Sequence, residues 1–216
     1  MQISVKADIK RLTRGLNDIQ KKQIPFATSR ALNDVAATVA MKSLRQKAQE
    51  VFEGGATGFT KTGFRYEKGN KNNLMSKVFI EGARADFLKF QIAGGTRFPE
   101  RRSLMIPTKH TKLTKLGNIR RSEYAKMIND RAKYFSGIPK GLQGAHLAGI
   151  WERYGRQTKA RTGQKIRMVA KYRDRGQYQP KFPYADTVAG VVFGRKDGVA
   201  ERFQKRLAEA LRSKKR

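Results

Sequence analysis

The amino-acid sequence predicts an α+β fold: a small mixed or antiparallel sheet packed with a long N-terminal helix and a C-terminal helix, with extended loops and a basic β-hairpin. Three observations lead there. Apolar residues recur at helical spacing near both ends, through Ala27, Ala31, Val35, Val39 and Leu44 and again through Val188, Val192, Val199, Phe203, Leu207 and Leu211. Between them lie short runs rich in β-branched and aromatic residues, such as Val78-Phe79-Ile80, that fit strands. A length of 216 residues suits one main core over 1–216 rather than two large domains, with an insertion at about 108–144.

Taken in order, Ile9, Leu12, Leu16 and Ile19 predict a first amphipathic helix over Asp8 to Ile19. Ile24-Pro25 suits the start of a second helix with proline in its first turn, running to about Phe52. The alanines on its apolar face permit close approach to a partner, in this subunit or a neighbouring one. Glu53 to Gly58 ends it, and the segment through Asn73 reads as an exposed, mobile loop. Leu74 to Ile80 predicts a strand and Ala83 to Ala93 a short helix stopped by Gly94-Gly95. Arg102 to Ile106 predicts another strand, ended by Pro107. The insertion carries a helix expected over Ser122 to Phe135. Leu147–Tyr154 and Ile166–Tyr172 are the strands of the basic hairpin, with Gly155–Gly163 as its turn. Pro180 and Pro183 bracket a short extended piece. Ala185 to Leu211 is helical, with Gly190, Gly194 and Gly198 as points of kinking or interruption.

Charge sets the chemical class. Lys and Arg number 48 against 17 Asp and Glu, a formal charge of +31. Such a field repels copies of itself and attracts nucleic acid or strongly acidic protein surfaces. The cations run from Lys6 to Arg216, so this is no basic arm on a neutral body. Hydrophobic residues at 38% still permit a folded core. Cysteine is absent, which excludes disulfides and thiolate metal sites. Met1 to Asp8 lacks a signal peptide's apolar run, and no stretch of about 18 apolar residues follows, so a chain made and kept soluble, without membrane contact, is expected.

A search for catalytic chemistry returns little. The two histidines, His110 and His146, have no partners at a metal-site spacing. The carboxylates are scattered; Glu81 and Asp86 are the nearest pair, and strand-end and helix-cap roles explain them more simply than two-metal chemistry. Gly55 to Gly63 has the flavour of a phosphate loop but lacks its Gly-Lys-Ser/Thr ending, and reads as a flexible linker. No serine or thiol nucleophile stands in a triad setting. The expectation is no enzyme, no cofactor and no metal.

The basic segments say more. From Arg156 to Lys181 there are nine Lys or Arg, Asp174 as the only acid, and Tyr172 and Tyr178 interleaved. Arg156, Lys159, Arg161, Lys165, Arg167 and Lys171 are the candidate DNA-contact residues. The competing reading is a hairpin that simply carries charge on its solvated face. No zinc-finger, homeodomain or RNP1 pattern is present, so binding is expected to follow backbone charge rather than base sequence.

Ile24-Pro25-Phe26-Ala27-Thr28-Ser29-Arg30-Ala31-Leu32-Asn33 and the alanine-rich helix after it resemble the tailed-bacteriophage minor tail proteins of the Z type, also described as tail-completion or head-tail joining proteins. The likeness continues at Phe87 to Arg97, at Leu104-Met105-Ile106-Pro107 and at Phe203 to Leu211. The resemblance implies a small α+β virion protein, made in the host bacterial cytoplasm and assembled as a ring at the neck or upper tail. Its implied partners are copies of itself, portal, adaptor or tail-tube proteins, and double-stranded DNA; it brings no catalytic residues. Duplex DNA carries about one charge per 1.7 Å, so +31 matches about 53 Å of duplex per subunit and about 320 Å for six copies, more than a neck ring could contain. Part of the charge is therefore expected to meet acidic protein surfaces. The alternative reading is a nonspecific nucleic-acid-binding protein of chromosomal or ribosomal type.

Overall fold

Residues 16–51 form one helical run in the computed structural model, which describes residues 16–155 and 165–213. Two π turns, Ile19–Gln23 and Val39–Ser43, flank helix α1 (Ile24–Thr38), and α2 (Leu44–Val51) follows the second. The predicted break before Ile24 is absent. Pro25 has no N–H to give Lys21, and its ring would crowd that carbonyl in a regular helix. The first π turn supplies the adjustment, with the Ile24 N–H reaching back five residues to the Ile19 carbonyl. The helix therefore passes through the proline instead of starting at it. Of the first predicted helix, residues 8–15 lie outside the described residues.

The second π turn follows from the apolar pattern. Ala27, Ala31, Val35, Val39, Leu44 and Ala48 are all at most 4% exposed. They are four residues apart except between Val39 and Leu44, which are five apart. That long step falls on the turn where the Leu44 N–H bonds the Val39 carbonyl, five residues back, so one extra residue is absorbed and the stripe stays on one side.

The chain folds into two units, each with its own packing. Of the described residues, the first comprises 16–51, 57–86 and 182–213. In it the alanine stripe packs against the C-terminal helices α6 (Tyr184–Val192) and α7 (Val199–Ser213) and against a hairpin of β1 (Phe64–Glu67) and β2 (Lys77–Ile80). The close approach that the alanines permit is thus used within this chain. The predicted C-terminal helix is interrupted at 193–198, where Gly194 and Gly198 lie, as its glycines suggested. Phe64 is fully buried, its ring 5.7 Å from that of Phe182.

The loop expected through Asn73 is more structured than its glycines indicated. Thr57 caps the short helix α3 (Gly58–Thr62) by accepting from the Thr60 N–H at 3.1 Å, and β1 begins two residues after that helix. A threonine cap and one buried phenylalanine fix the segment, so the flexible-linker reading of Gly55 to Gly63 is corrected.

Of the described residues, the second unit comprises 52–56, 87–155 and 165–181; α4 (Ala83–Ala93) begins in the first unit and ends here. Its larger sheet is four-stranded and antiparallel. It contains β4 (Leu104–Pro107), β5 (Tyr134–Gly137), β6 (Gly149–Tyr154) and β7 (Lys165–Arg173) in the order β4-β7-β6-β5. β3 (Gly95–Arg97) pairs with β8 (Gly176–Tyr178), two short strands the sequence did not suggest; the extended piece expected between Pro180 and Pro183 carries no strand. Met127 of α5 (Arg121–Asn129) packs with Tyr134, Ile150, Val169 and Ala170 as the core of this sheet. The helix predicted to reach Phe135 stops at Asn129. Asp130 turns the chain, its side chain accepting from the Lys133 N–H at 3.0 Å and its carbonyl from the Tyr134 N–H at 2.8 Å, so Tyr134 and Phe135 enter a strand.

Candidate nucleic-acid interface

The basic hairpin forms as predicted in its strands: β6 and β7 pair antiparallel from Gly149 opposite Lys171 to Tyr154 opposite Lys165. Arg156, Lys159 and Arg161 lie outside the described residues. Lys165, Arg167 and Lys171 do not share a surface. All three are odd-numbered and would face one way in a regular strand. The register shifts between Ile150 and Trp151, which face Ala170 and Met168, so Val169 is an extra residue and both Val169 and Ala170 are buried. Lys165 and Arg167 therefore lie on the face of Glu152 and Tyr134, while Lys171 lies on the opposite face with Trp151 and Phe135.

The bulge has its own support. The Val169 carbonyl accepts from the Thr108 N–H at 3.2 Å and from the Thr111 hydroxyl, and the Thr108 hydroxyl donates to the Met168 carbonyl at 2.6 Å. These threonines belong to the segment read as the start of an insertion. Gly149 is required nearby, because a Cβ there would overlap the Ala170 carbonyl.

Glu152 organises one face of the hairpin. Only 6% exposed, it accepts from Arg167 at 2.7 Å and from Lys133 at 3.2 Å. Burial pushes its carboxyl up, but the hydrogen bonds from Arg167 and Lys133 outweigh burial and hold it below the usual carboxylate range. The Lys133 ammonium is raised chiefly by its bond to Glu152, and burial raises the Tyr134 phenol. Arg167 also lies over the Tyr154 ring at 5.1 Å. Its guanidinium is thus engaged by an internal carboxylate, which lowers what it offers to a phosphate.

The opposite face holds a stacked Phe135–Trp151 pair with centroids 6.5 Å apart, and Arg153 over Phe135 at 4.6 Å. Arg153 was not singled out in the sequence. It donates to the carbonyls of Arg131 at 3.0 Å and Ala132 at 3.1 Å, which ties the turn before β5 to the sheet. Arg153 and Glu152 both take their roles from cross-strand register, which has no signal in the local sequence.

Glu81 bridges Arg65 at 3.1 Å and Arg84 at 3.5 Å, and Asp86 sits in the first turn of α4. Among the described residues no group of three or more His, Cys, Asp or Glu is placed to hold a metal ion. No helix among them is long and apolar enough to cross a membrane. His110 and His146 are exposed on separate turns. No protein-family model, no curated protein and no solved structure matches this chain.

Proposed function

We propose that this chain is a structural virion protein of a tailed bacteriophage, placed at the head-tail joint or upper tail. There it assembles as a closed ring that links the capsid connector to the tail and contacts packaged DNA. The observation that carries the reading is the coexistence of a +31 charge with large apolar side chains left in solvent, Phe193 at 84%, Phe98 at 67% and Met75 at 53% exposed. A strongly self-repelling subunit gains from partners that cover apolar surface and supply negative charge, which acidic neighbours and DNA both do. The segments that resemble Z-type minor tail proteins support it further. They fall on the start of α1, the end of α4 with β3, the strand β4, and α7.

The test is imaging of purified particles at a resolution that traces side chains. The expected result is a closed ring between capsid and tail, about six or twelve copies by cyclic symmetry. Because repulsion between neighbours is screened over about 8 Å at physiological salt, ring formation by the isolated chain is expected to rise with ionic strength. Absence from any particle would overturn the proposal. A chain that stays monomeric or dimeric and binds duplex and RNA with a steep salt slope is then a nonspecific nucleic-acid-binding protein.

A further inference from the structure

The first unit holds a basic cleft of about 430 Å³ that is separate from the hairpin, lined by Lys21, Lys22, Gln23, Phe26, Lys71 and Asn72. One wall is the start of the long helix. The first π turn carries Lys21, Lys22 and Gln23, and Phe26 follows one turn later. The other wall is the loop between β1 and β2, and it is held in place. Asn33 of α1 clamps that loop: its side chain donates to the Gly69 carbonyl at 2.9 Å and accepts from the Gly69 N–H at 2.8 Å and the Ser76 hydroxyl at 2.7 Å. The Asn70 side chain then accepts from the N–H groups of Asn72 at 2.9 Å and Asn73 at 2.8 Å, which fixes the stretch bearing Lys71.

Among the described residues that line it there is no carboxylate; Asp18 pairs with Lys22 at 3.2 Å. Phe26 is 45% exposed, and Arg30 lies over its ring at 5.5 Å. The cleft therefore joins the ammonium groups of Lys21 and Lys71, and that of Lys22 shared with Asp18, for phosphates, with one aromatic ring for a base and two amides for its edge. A duplex keeps its base faces within the stack and can give Phe26 nothing without flipping a base out, whereas a single strand offers unstacked bases between flanking phosphates. The volume lies within the range of sites that enclose a small ligand, about 300–1,000 Å³.

We infer that this cleft binds single-stranded nucleic acid, one nucleotide stacking on Phe26 while Lys21, Lys22 and Lys71 hold the adjoining phosphates. The described lining residues all belong to one chain, so the inference does not rest on a place in a virion.

The test is fluorescence anisotropy of the full chain with a labelled oligothymidylate and a duplex of equal length over a series of salt concentrations. Unlabelled thymidine triphosphate serves as competitor. Phe26→Ala is expected to weaken the oligothymidylate roughly ten-fold, from lost stacking, and to leave the duplex within about two-fold. Lys21→Gln with Lys71→Gln should flatten the single-strand salt slope by about 1.4. Lys109→Gln with Lys112→Gln, which removes equal charge in the second unit, should leave that slope near its starting value. Photocrosslinking with 5-iodouridine oligomer is expected to label the peptide containing Phe26. Equal single-strand binding by Phe26→Ala, or equal slope loss in the two lysine pairs, would overturn the cleft. Displacement of the oligomer by triphosphate at matched nucleotide concentration would overturn the strand reading in favour of a free nucleotide.

Discussion

The two units solve the same problem, a large excess of positive charge, in opposite ways. Among the described residues the first keeps its carboxylates outside a seam of small residues; Asp34 and Arg206, which join α1 and α7 at 2.7 Å, are each one-third exposed. The second draws a carboxylate inward and surrounds it with cations, Glu152 between Arg167 and Lys133. Apolar contact holds the first, so shape should control its stability. Ionic contact helps hold the second, so protonation should. Removing one partner of a buried charge leaves the other uncompensated, whereas an exposed pair exchanges readily with water.

The largest effect is expected in the first unit, from Leu44→Ala. Leu44 is fully buried at the single five-residue step of the stripe, and truncation there should cost about 2–5 kcal/mol through lost burial and the remaining cavity. Urea denaturation of the full chain measures it. A loss below about 1 kcal/mol would mean that the π turn relaxes to close the gap.

Next comes Glu152→Gln in the second unit. The amide keeps the shape but leaves Arg167 and Lys133 without their anion, and a loss of about 1–2 kcal/mol is expected, reduced because both cations are partly exposed to solvent. Proton dependence sharpens the contrast. Glu152 has its folded pKa below the unfolded value, so its contribution is present above the unfolded carboxylate pKa and is lost as pH falls through the folded one. Lys133 is raised, so its contribution holds below the unfolded lysine pKa and is lost as pH rises through the folded one. Hydrogen exchange followed from about pH 5 to pH 3 should show β6 and β7 losing protection, and Glu152→Gln should flatten that loss. Unchanged protection across the range would break the comparison.

How much of this was readable before the structure depends on how local each cause is. The stripe of α1 and α2 was visible because periodicity is local, and its five-residue step was there to be counted between Val39 and Leu44. Ala83–Ala93 was delimited by its glycines, and the α+β class followed from the same patterns. The glycines of 53–73 point to a mobile loop, but the Thr57 cap and the buried Phe64 outweigh them. The bulge at Val169 was invisible: it depends on Thr108 and Thr111, about sixty residues away, and it alone sends Lys171 to the other face from Arg167. Arg167 was legible as a cation, but its engagement by Glu152 depended on hairpin register. The cleft at Phe26 is split in sequence between a helix start and a hairpin loop that the Asn33 clamp brings together.

The smallest expected effect closes the contrast by repeating one chemical change in the other unit. Asp34→Asn should cost about 0.5 kcal/mol or less, and less still at high salt. Arg206 keeps Glu209 as a partner at 2.9 Å. The Arg202 guanidinium bonds the backbone carbonyl of residue 34 at 2.9 Å, a contact the substitution leaves in place. Parallel denaturation of Asp34→Asn and Glu152→Gln at low and high salt therefore compares two carboxylate-to-amide changes that differ mainly in burial. If they cost the same, charge rather than burial governs both units. If Asp34→Asn is nearly silent, the alanine seam is what joins α1 to α7, and the ion pair beside it serves register more than stability.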